Sequence, residues 1–362
     1  MKNDLIFQIG LTLIPGIGPV TAKKLISYCG SVEAVFKEKK EHLIKIPHIG
    51  PVLAKEISSQ NVLSRAEQEI NYISNNNIKV STYLENDYPS RLKNCVDAPI
   101  VLYSKGDFDW NQTKIVSIVG TRNASNYGKN ICQSVIEYLS DFPVLIISGL
   151  AYGIDIHAHK NAIKHNLKTA AVLAHGLDKI YPSSHKNVSL EMLQNGGLIT
   201  EFLSETNISR ENFVRRNRIV AGISDATIVI ESKIKGGAMI TAKLANDYNR
   251  DVFAVPGKVY DEYSSGCNHL IKTNQAHLCS SPQDISYLLN WNKKEKQTII
   301  KKDLLNEYEL KVVTLLEKRQ ELNIDSINDC LNINFGQLAG VLTDLELKNI
   351  IQSSPGKIFS LK

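Results

Sequence analysis

Two stretches between Ile115 and His159 alternate an apolar run with a glycine-bearing break. Ile115-Val116-Ser117-Ile118-Val119 stops at Gly120-Thr121-Arg122, and helical periodicity follows over residues 127–139. The run at 144–147 stops at a longer turn, Ser148 to Asp155, before another helical stretch. Continuous apolar runs are the mark of strands covered on both faces, as in parallel sheets. The pattern is therefore a βαβα unit. Ligands of such sheets lie beyond the carboxyl ends of the strands, so both glycine turns are expected on one crevice.

The alternation continues with strands at 169–173, 198–201, 226–230 and 251–255, and with helices at 185–195, 216–221 and 239–248. This predicts a doubly wound, mostly parallel α/β domain over residues 76–290. Ahead of its regular part, residues 62–75 read as a helix and 79–83 as a strand. Residues 87–92 and 98–103 lead into the sheet and bring no catalytic constellation with them.

Residues 1–75 read as short helices joined by glycine turns. Leu13-Ile14-Pro15-Gly16-Ile17-Gly18-Pro19 and Ile46-Pro47-His48-Ile49-Gly50-Pro51 form a near-repeat of helix-hairpin-helix type. A glycine turn at a helix start exposes backbone N–H groups to a phosphate, with Lys23 and Lys24 one turn further on. His48 in place of Gly16 is expected to hold the second hairpin away from a phosphate, and a plain packing module fits the repeat equally well. Residues 291–302 are polar and carry Lys293, Lys294, Lys296, Lys301 and Lys302, the pattern of a solvated linker. Residues 303–362 show three helical periods and a terminal hairpin around Ser354-Pro355-Gly356, a winged-helix pattern that serves DNA or protein binding.

With 362 residues and 43% hydrophobic content, two or three domains with real cores are expected. A net charge of +5 permits a polyanionic partner without requiring one. Cys29, Cys95, Cys132, Cys267, Cys279 and Cys330 lack CxxC spacing, which argues against zinc and against a disulfide framework. No run approaches the roughly 20 apolar residues of a spanning helix, and no leader pattern opens the chain. The expectation is a soluble cytoplasmic protein with no membrane association.

The turns carry the candidate chemistry. Gly120, Thr121 and Arg122 follow a strand and precede a helix, so they can offer N–H groups and a guanidinium to a phosphate; an ordinary tight turn with a surface arginine explains them as well. Ser148 and Gly149 open the second turn, and Asp155 is expected to cap the helix after it. His157 and His159, two apart on a helix, diverge too far to share a metal. Phe213-Val214-Arg215-Arg216-Asn217-Arg218 is the least ordinary segment, because three guanidinium groups around an asparagine suit phosphates and bases better than a plain turn. Gly236 and Gly237 begin another helix, which carries Lys243. GxGxxG, GxxxxGK[ST] and GxSxG are all missing, and no nucleophile, base and orienter stand together. A binding protein with no catalytic residues, metal or cofactor is expected.

Taken in order, these turns resemble the DNA-processing protein A (DprA/Smf) family. The match rests on Ser117 to Arg122, Ser148 to Asp155 with Ala158-His159, Gly176-Leu177-Asp178 with Tyr181-Pro182 and His185, and Phe213 with Arg216 to Gly222. It extends through Ile240-Thr241-Ala242, Arg250 to Gly257, and Gly266-Cys267-Asn268 with Leu270-Ile271. Gly236-Gly237-Ala238-Met239, Ala174-His175 and Gln275 depart from the family's usual residues. The resemblance implies an extended Rossmann-like fold that binds single-stranded DNA in a basic crevice, forms homodimers and loads RecA in transformation or recombination, without turnover. On that basis Arg122, Arg216 and Arg218 are expected to hold the DNA backbone, with N–H groups of Gly120, Gly149 and Gly237. Arg215 and Lys243 are second-rank candidates, and Tyr152 or Phe213 could stack on a base. Two rivals remain at this point. One is a LOG-type phosphoribohydrolase, whose PGGxGT turn precedes a nearby Glu, whereas Glu231 here precedes the glycines. The other is a winged-helix regulator reading duplex DNA through residues 303–362.

Overall fold

The computed structural model describes residues 2–292, 305–319, 321–331, 333–348, 350–354 and 356–361. The lysines of the expected linker, and Pro355 of the terminal hairpin, lie outside the described residues. Met1–Asn292 pack as one compact unit and Lys293–Lys362 as another.

The first unit opens with α1 (Lys2–Leu13), α2 (Pro19–Cys29), α3 (Val32–Lys37), α4 (Lys40–Leu43), α5 (Pro51–Ser59) and α6 (Leu63–Asn75). β1 (Lys79–Thr82), α7 (Ser90–Lys93) and β2 (Val101–Gly106) follow. The regular part is β3 (Lys114–Val119), α8 (Asn126–Leu139), β4 (Val144–Ser148), α9 (Ile154–Lys164), β5 (Thr169–Val172), α10 (Lys186–Met192) and β6 (Gly196–Thr200). It continues through α11 (Arg210–Gly222), β7 (Ala226–Val229), α12 (Gly237–Asp247), β8 (Asp251–Ala254), α13 (Ser265–Lys272), β9 (His277–Leu278) and α14 (Gln283–Leu288).

The strands form one sheet in the order β1-β2-β6-β5-β4-β3-β7-β8-β9. From β6 to β9 every pairing is parallel, while β2 runs antiparallel to β6 and β1 antiparallel to β2. Alternate residues of β3 feed the two faces: Ile115 and Val119 join the core under α11 and α12, and Val116 and Ile118 join the core under α8 and α9. Ser117 lies on the α11 side, where its buried hydroxyl donates to Val220 O at 2.6 Å. That polar bond ties α11 to the central strand without an orphaned group.

No packing break separates the N-terminal helices from the sheet. Their core continues into Ile100, into Val101 and Tyr103 of β2, and into Leu203. Buried Glu69 of α6 accepts Ser204 N–H at 2.9 Å and Arg65 at 2.9 Å, which fixes α6 to the loop after β6. Gly16 and His48 both take positive φ, 79° and 69°, so His48 holds the same left-handed turn as its counterpart. Lys23 does not face a phosphate site. It donates to Cys95 O at 3.3 Å and Val96 O at 3.1 Å, half-buried, and burial lowers its pKa.

The second unit contains α15 (Glu307–Arg319), β10 (Glu321–Asn323), α16 (Ile324–Leu331), α17 (Phe335–Leu347), β11 (Ile351–Ser354) and β12 (Ile358–Leu361). Its antiparallel sheet runs β10-β12-β11. Val312, Leu316, Ile327, Leu338, Leu342 and Phe359 fill its core. Among the described residues no helix is long and apolar enough to cross a membrane, and no cluster of His, Cys, Asp and Glu is placed to hold a metal.

Candidate nucleic-acid interface

β3 begins both arms of the parallel sheet, one through β4, β5 and β6 and the other through β7, β8 and β9. Val119 and Val229 pair at the ends of β3 and β7, so the two strands release their turns at one level. The chain reversal opens a gap there. The gap holds a cleft of about 610 Å³, lined by residues 119–123, by Gly149, Ala151 and Asp155, by the outer face of α11, and by the turn and first residues of α12.

Glu231, just beyond β7, organises the first turn. Its backbone carbonyl accepts Thr121 N–H at 2.7 Å, and its buried carboxylate accepts Ser125 N–H at 3.0 Å and the Ser125 hydroxyl at 2.5 Å. A Cβ at Gly128 would strike that carboxylate. Held in this way, Gly120, Thr121 and Arg122 line the cleft. Arg122 is exposed and lies over the Phe213 ring at 5.2 Å, and Phe213 lies 5.9 Å from the Tyr181 ring.

The second turn is shaped by close approaches. Gly153 sits at φ 77°, where a Cβ would meet the carbonyls of Thr121 and Arg122; a Cβ on Gly149 would overlap the guanidinium of Arg216. Asp155 is not the cap expected of it: Gly153 is the N-cap of α9, and Asp155 in the first turn accepts Ala151 N–H at 3.4 Å. Ser148 points away from the cleft, its buried hydroxyl donating to Ile118 O at 2.6 Å.

The arginine segment is helical, where a loop ahead of a helix was expected at Arg216. α11 starts at Arg210, with Ser209 as its N-cap accepting Asn212 N–H at 3.3 Å. Helical spacing then sorts the side chains. Phe213, Arg216, Asn217 and Val220 share the cleft face, at offsets of three, four and seven. Arg215 and Arg218 take another face, three apart. Arg218 is buried, donates to Asp97 O, and meets Glu201 Oε2 at 2.5 Å; Arg215 meets the same oxygen at 3.0 Å and lies over Phe202 at 5.3 Å. These two residues, expected on DNA, are placed on an internal carboxylate. Lys243 is exposed on α12 but does not line the cleft.

Arg216 is the unusual group on the cleft floor. It is 4% exposed, donates from Nη1 to Val172 O, and has no partner for Nε. Burial pulls its pKa down to about 10, partly countered by Asp155, so it stays charged at neutral pH. Burial raises the pKa of Asp155, against the opposing pull of Arg216. A desolvated cation on the floor of a cleft favours an incoming anion strongly. Around it, Gly236 and the open Gly237 begin α12, whose N-terminus favours negative charge.

Sequence reasoning missed Arg210, Lys233, Lys235 and Tyr263 on the cleft wall. Lys233 meets Glu262 at 2.7 Å and lies 4.7 Å from the Tyr263 ring, to whose hydroxyl Asn123 donates at 3.2 Å. Among the described residues, five cations line the cleft, Arg122, Arg210, Arg216, Lys233 and Lys235, against the single carboxylate of Asp155.

The family model described as DNA recombination-mediator protein A matches residues 79–290, and that of the SAM-like helix-hairpin-helix tandem matches residues 9–60. A protein Smf of Synechocystis sp. is 31% identical over 79% of this chain and 73% of its own length. The DNA processing protein DprA of Streptococcus pneumoniae is 38% identical over 56% of this chain and 71% of its own. A solved structure of DprA from that organism superposes with TM-score 0.68 at 30% identity, covering 81% of this chain and 99% of that one. DprA from Helicobacter pylori, solved to explain its single-stranded DNA binding mode, superposes with TM-score 0.54 at 31% identity over 59% of this chain and 98% of that one. With the family match spanning the sheet and its cleft, and the hairpin match spanning the helices before it, the chain belongs to the DNA recombination-mediator protein A family, the DprA/Smf proteins.

Proposed function

We propose that this chain binds single-stranded DNA in the cleft beyond β3 and β7, protects it, and hands it to RecA in transformation and recombination, without catalysing a reaction. The observation that carries the reading is Arg216, a buried and imperfectly partnered cation on the floor of a cationic cleft. A phosphodiester there would gain a charge-assisted hydrogen bond, and the start of α12 would add backbone donors. Arg122 and Phe213 offer a guanidinium and a ring beside it, which suits unpaired bases better than a duplex whose bases stay stacked. The revised contact set is Gly120, Thr121, Arg122, Gly149, Arg216, Asn217, Gly236 and Gly237, joined by Arg210, Lys233 and Lys235. RecA loading and a homodimer that aligns two clefts belong to the same reading through the family.

We assign residues 1–75 to a hairpin module, 76–290 to the binding domain and 303–362 to a winged helix. The helix, strand, two helices and hairpin of the second unit support the last assignment. Its third helix, α17, contains no lysine or arginine, so the DNA reading rests on the cleft. Titration of the full chain with a labelled mixed-sequence strand and with its duplex, across salt concentrations, tests the proposal. Tighter single-strand binding, with a log affinity that falls by about 0.7 per decade of salt for each neutralised phosphate, is expected. Preference for the duplex would refute it.

A further inference from the structure

Outside the cleft, two turns pack together and carry exposed rings. His185 donates from Nδ1 to Leu150 O at 2.9 Å, which pins the turn after β4 to the turn before α10. Leu150 is held at φ 57°, a left-handed conformation unusual for its side chain, so this pinning specifies the turn closely. Tyr181 projects from one turn and Tyr152 from the other, 42% and 49% exposed. The Tyr152 and His185 rings pack in a T-shaped arrangement with centroids 5.0 Å apart, and the Tyr152 hydroxyl accepts from Ser184 Oγ at 3.4 Å. With both contacts in place, Tyr152 stays exposed.

Tyr181 belongs to the cleft wall, and Arg122, Phe213 and Tyr181 make one line of contacts leading out of it. The turn 181–185 carries that line on to Tyr152. We infer that a base flanking the nucleotides in the cleft stacks on the outer face of Tyr152, making these paired turns a rim subsite for single-stranded nucleic acid. The inference rests on the cleft reading above and adds to it the direction in which the strand leaves. Tyr260 is the rival platform, on the loop that carries Tyr263. It is 100% exposed, so a base would have to immobilise a free side chain, whereas Tyr152 is already held by His185 and Ser184.

The test uses the full chain and single strands lengthened one nucleotide at a time. Tyr152→Leu removes the ring, while Tyr152→Phe and Tyr152→Trp keep a stacking face. For strands long enough to pass the rim, Tyr152→Leu should weaken binding by about five- to a hundred-fold. The shortest strands that bind should be unaffected, and the Phe and Trp variants should restore wild-type length dependence. Equal affinity of wild type and Tyr152→Leu at every length, with Arg122→Ala still weakening binding, would overturn the rim and leave the cleft reading intact. Equal losses in the Leu, Phe and Trp variants would also overturn it. Failure of the wild-type protein to bind any strand would overturn both.

Discussion

Arg216 and Arg218 stand two residues apart on one helix and are both buried, yet their surroundings are opposite. Arg218 is matched, with the Glu201 carboxylate and the Asp97 carbonyl taking its guanidinium. Arg216 has one carbonyl, an unpaired Nε and only the charge of Asp155 nearby, on the floor of a cleft. A matched buried cation serves the fold, and an unmatched one costs stability that a ligand can recover. Residue type is the same at both positions; the roughly 200° between them on an α-helix sets the difference.

That contrast makes different predictions for the same substitution. Arg218→Met should strand the buried Glu201 carboxylate and lower unfolding free energy by about 3–5 kcal/mol, read from the urea midpoint. Arg215 keeps part of the pairing, so the lower end of that range is expected. Arg216→Met should lower the urea midpoint less than Arg218→Met does, since the apolar side chain removes a poorly paired buried charge even as Asp155 loses its opposing cation. Its single-strand affinity should fall about ten- to a hundred-fold, the worth of a charge-assisted hydrogen bond.

The floor side should also carry a pH signature. His159 is fully buried, its Nδ1 lies 2.7 Å from Thr169 Oγ1, and its Nε2 has no partner. The Thr169 hydroxyl donates onward to Ile146 O at 3.0 Å, so the neutral ring carries its proton on Nδ1. Burial, with a smaller push from Arg216, lowers its pKa to about 3. The unfolded histidine takes a proton first as the pH drops below about 6.5, so this contribution is complete above that value and shrinks as the pH falls toward 3. The slope should reach at most about 1.4 kcal/mol per pH unit. His159→Leu should flatten it, and Arg216→Met should shorten it by removing the cation that disfavours protonation.

Arg122→Ala gives the smallest effect. The side chain is exposed, so affinity should drop by up to about fivefold at low salt and the salt slope by about 0.7. A loss as large as that of Arg216→Met would place the principal phosphate at the mouth of the cleft instead of its floor.

The sheet was legible because its strands are buried on both faces and leave largely apolar runs, as at residues 115–119 and 144–147. The turns were legible because glycine marks each close approach, at Gly149 against Arg216 and at Gly153 against the carbonyls of Thr121 and Arg122. What escaped was orientation. With a helix expected only from Arg216 onward, Arg215, Arg216 and Arg218 looked equivalent; within a helix that starts at Arg210, one side faces the cleft and the other faces Glu201. Lys233 and Lys235 escaped because nothing in a polar loop says which way it folds. β9 has two residues, too few for any alternation to show, and α13 and α14 were also missed.

The most direct test compares wild type, Arg216→Met and Arg218→Met on the same samples, measuring single-strand affinity across salt together with the urea midpoint. The account predicts a crossed result. Arg216→Met loses affinity and salt slope with the smaller loss of stability, and Arg218→Met loses more stability while its folded fraction binds as wild type does. Full affinity in Arg216→Met, or an equal loss of affinity in the folded fraction of both variants, would contradict it.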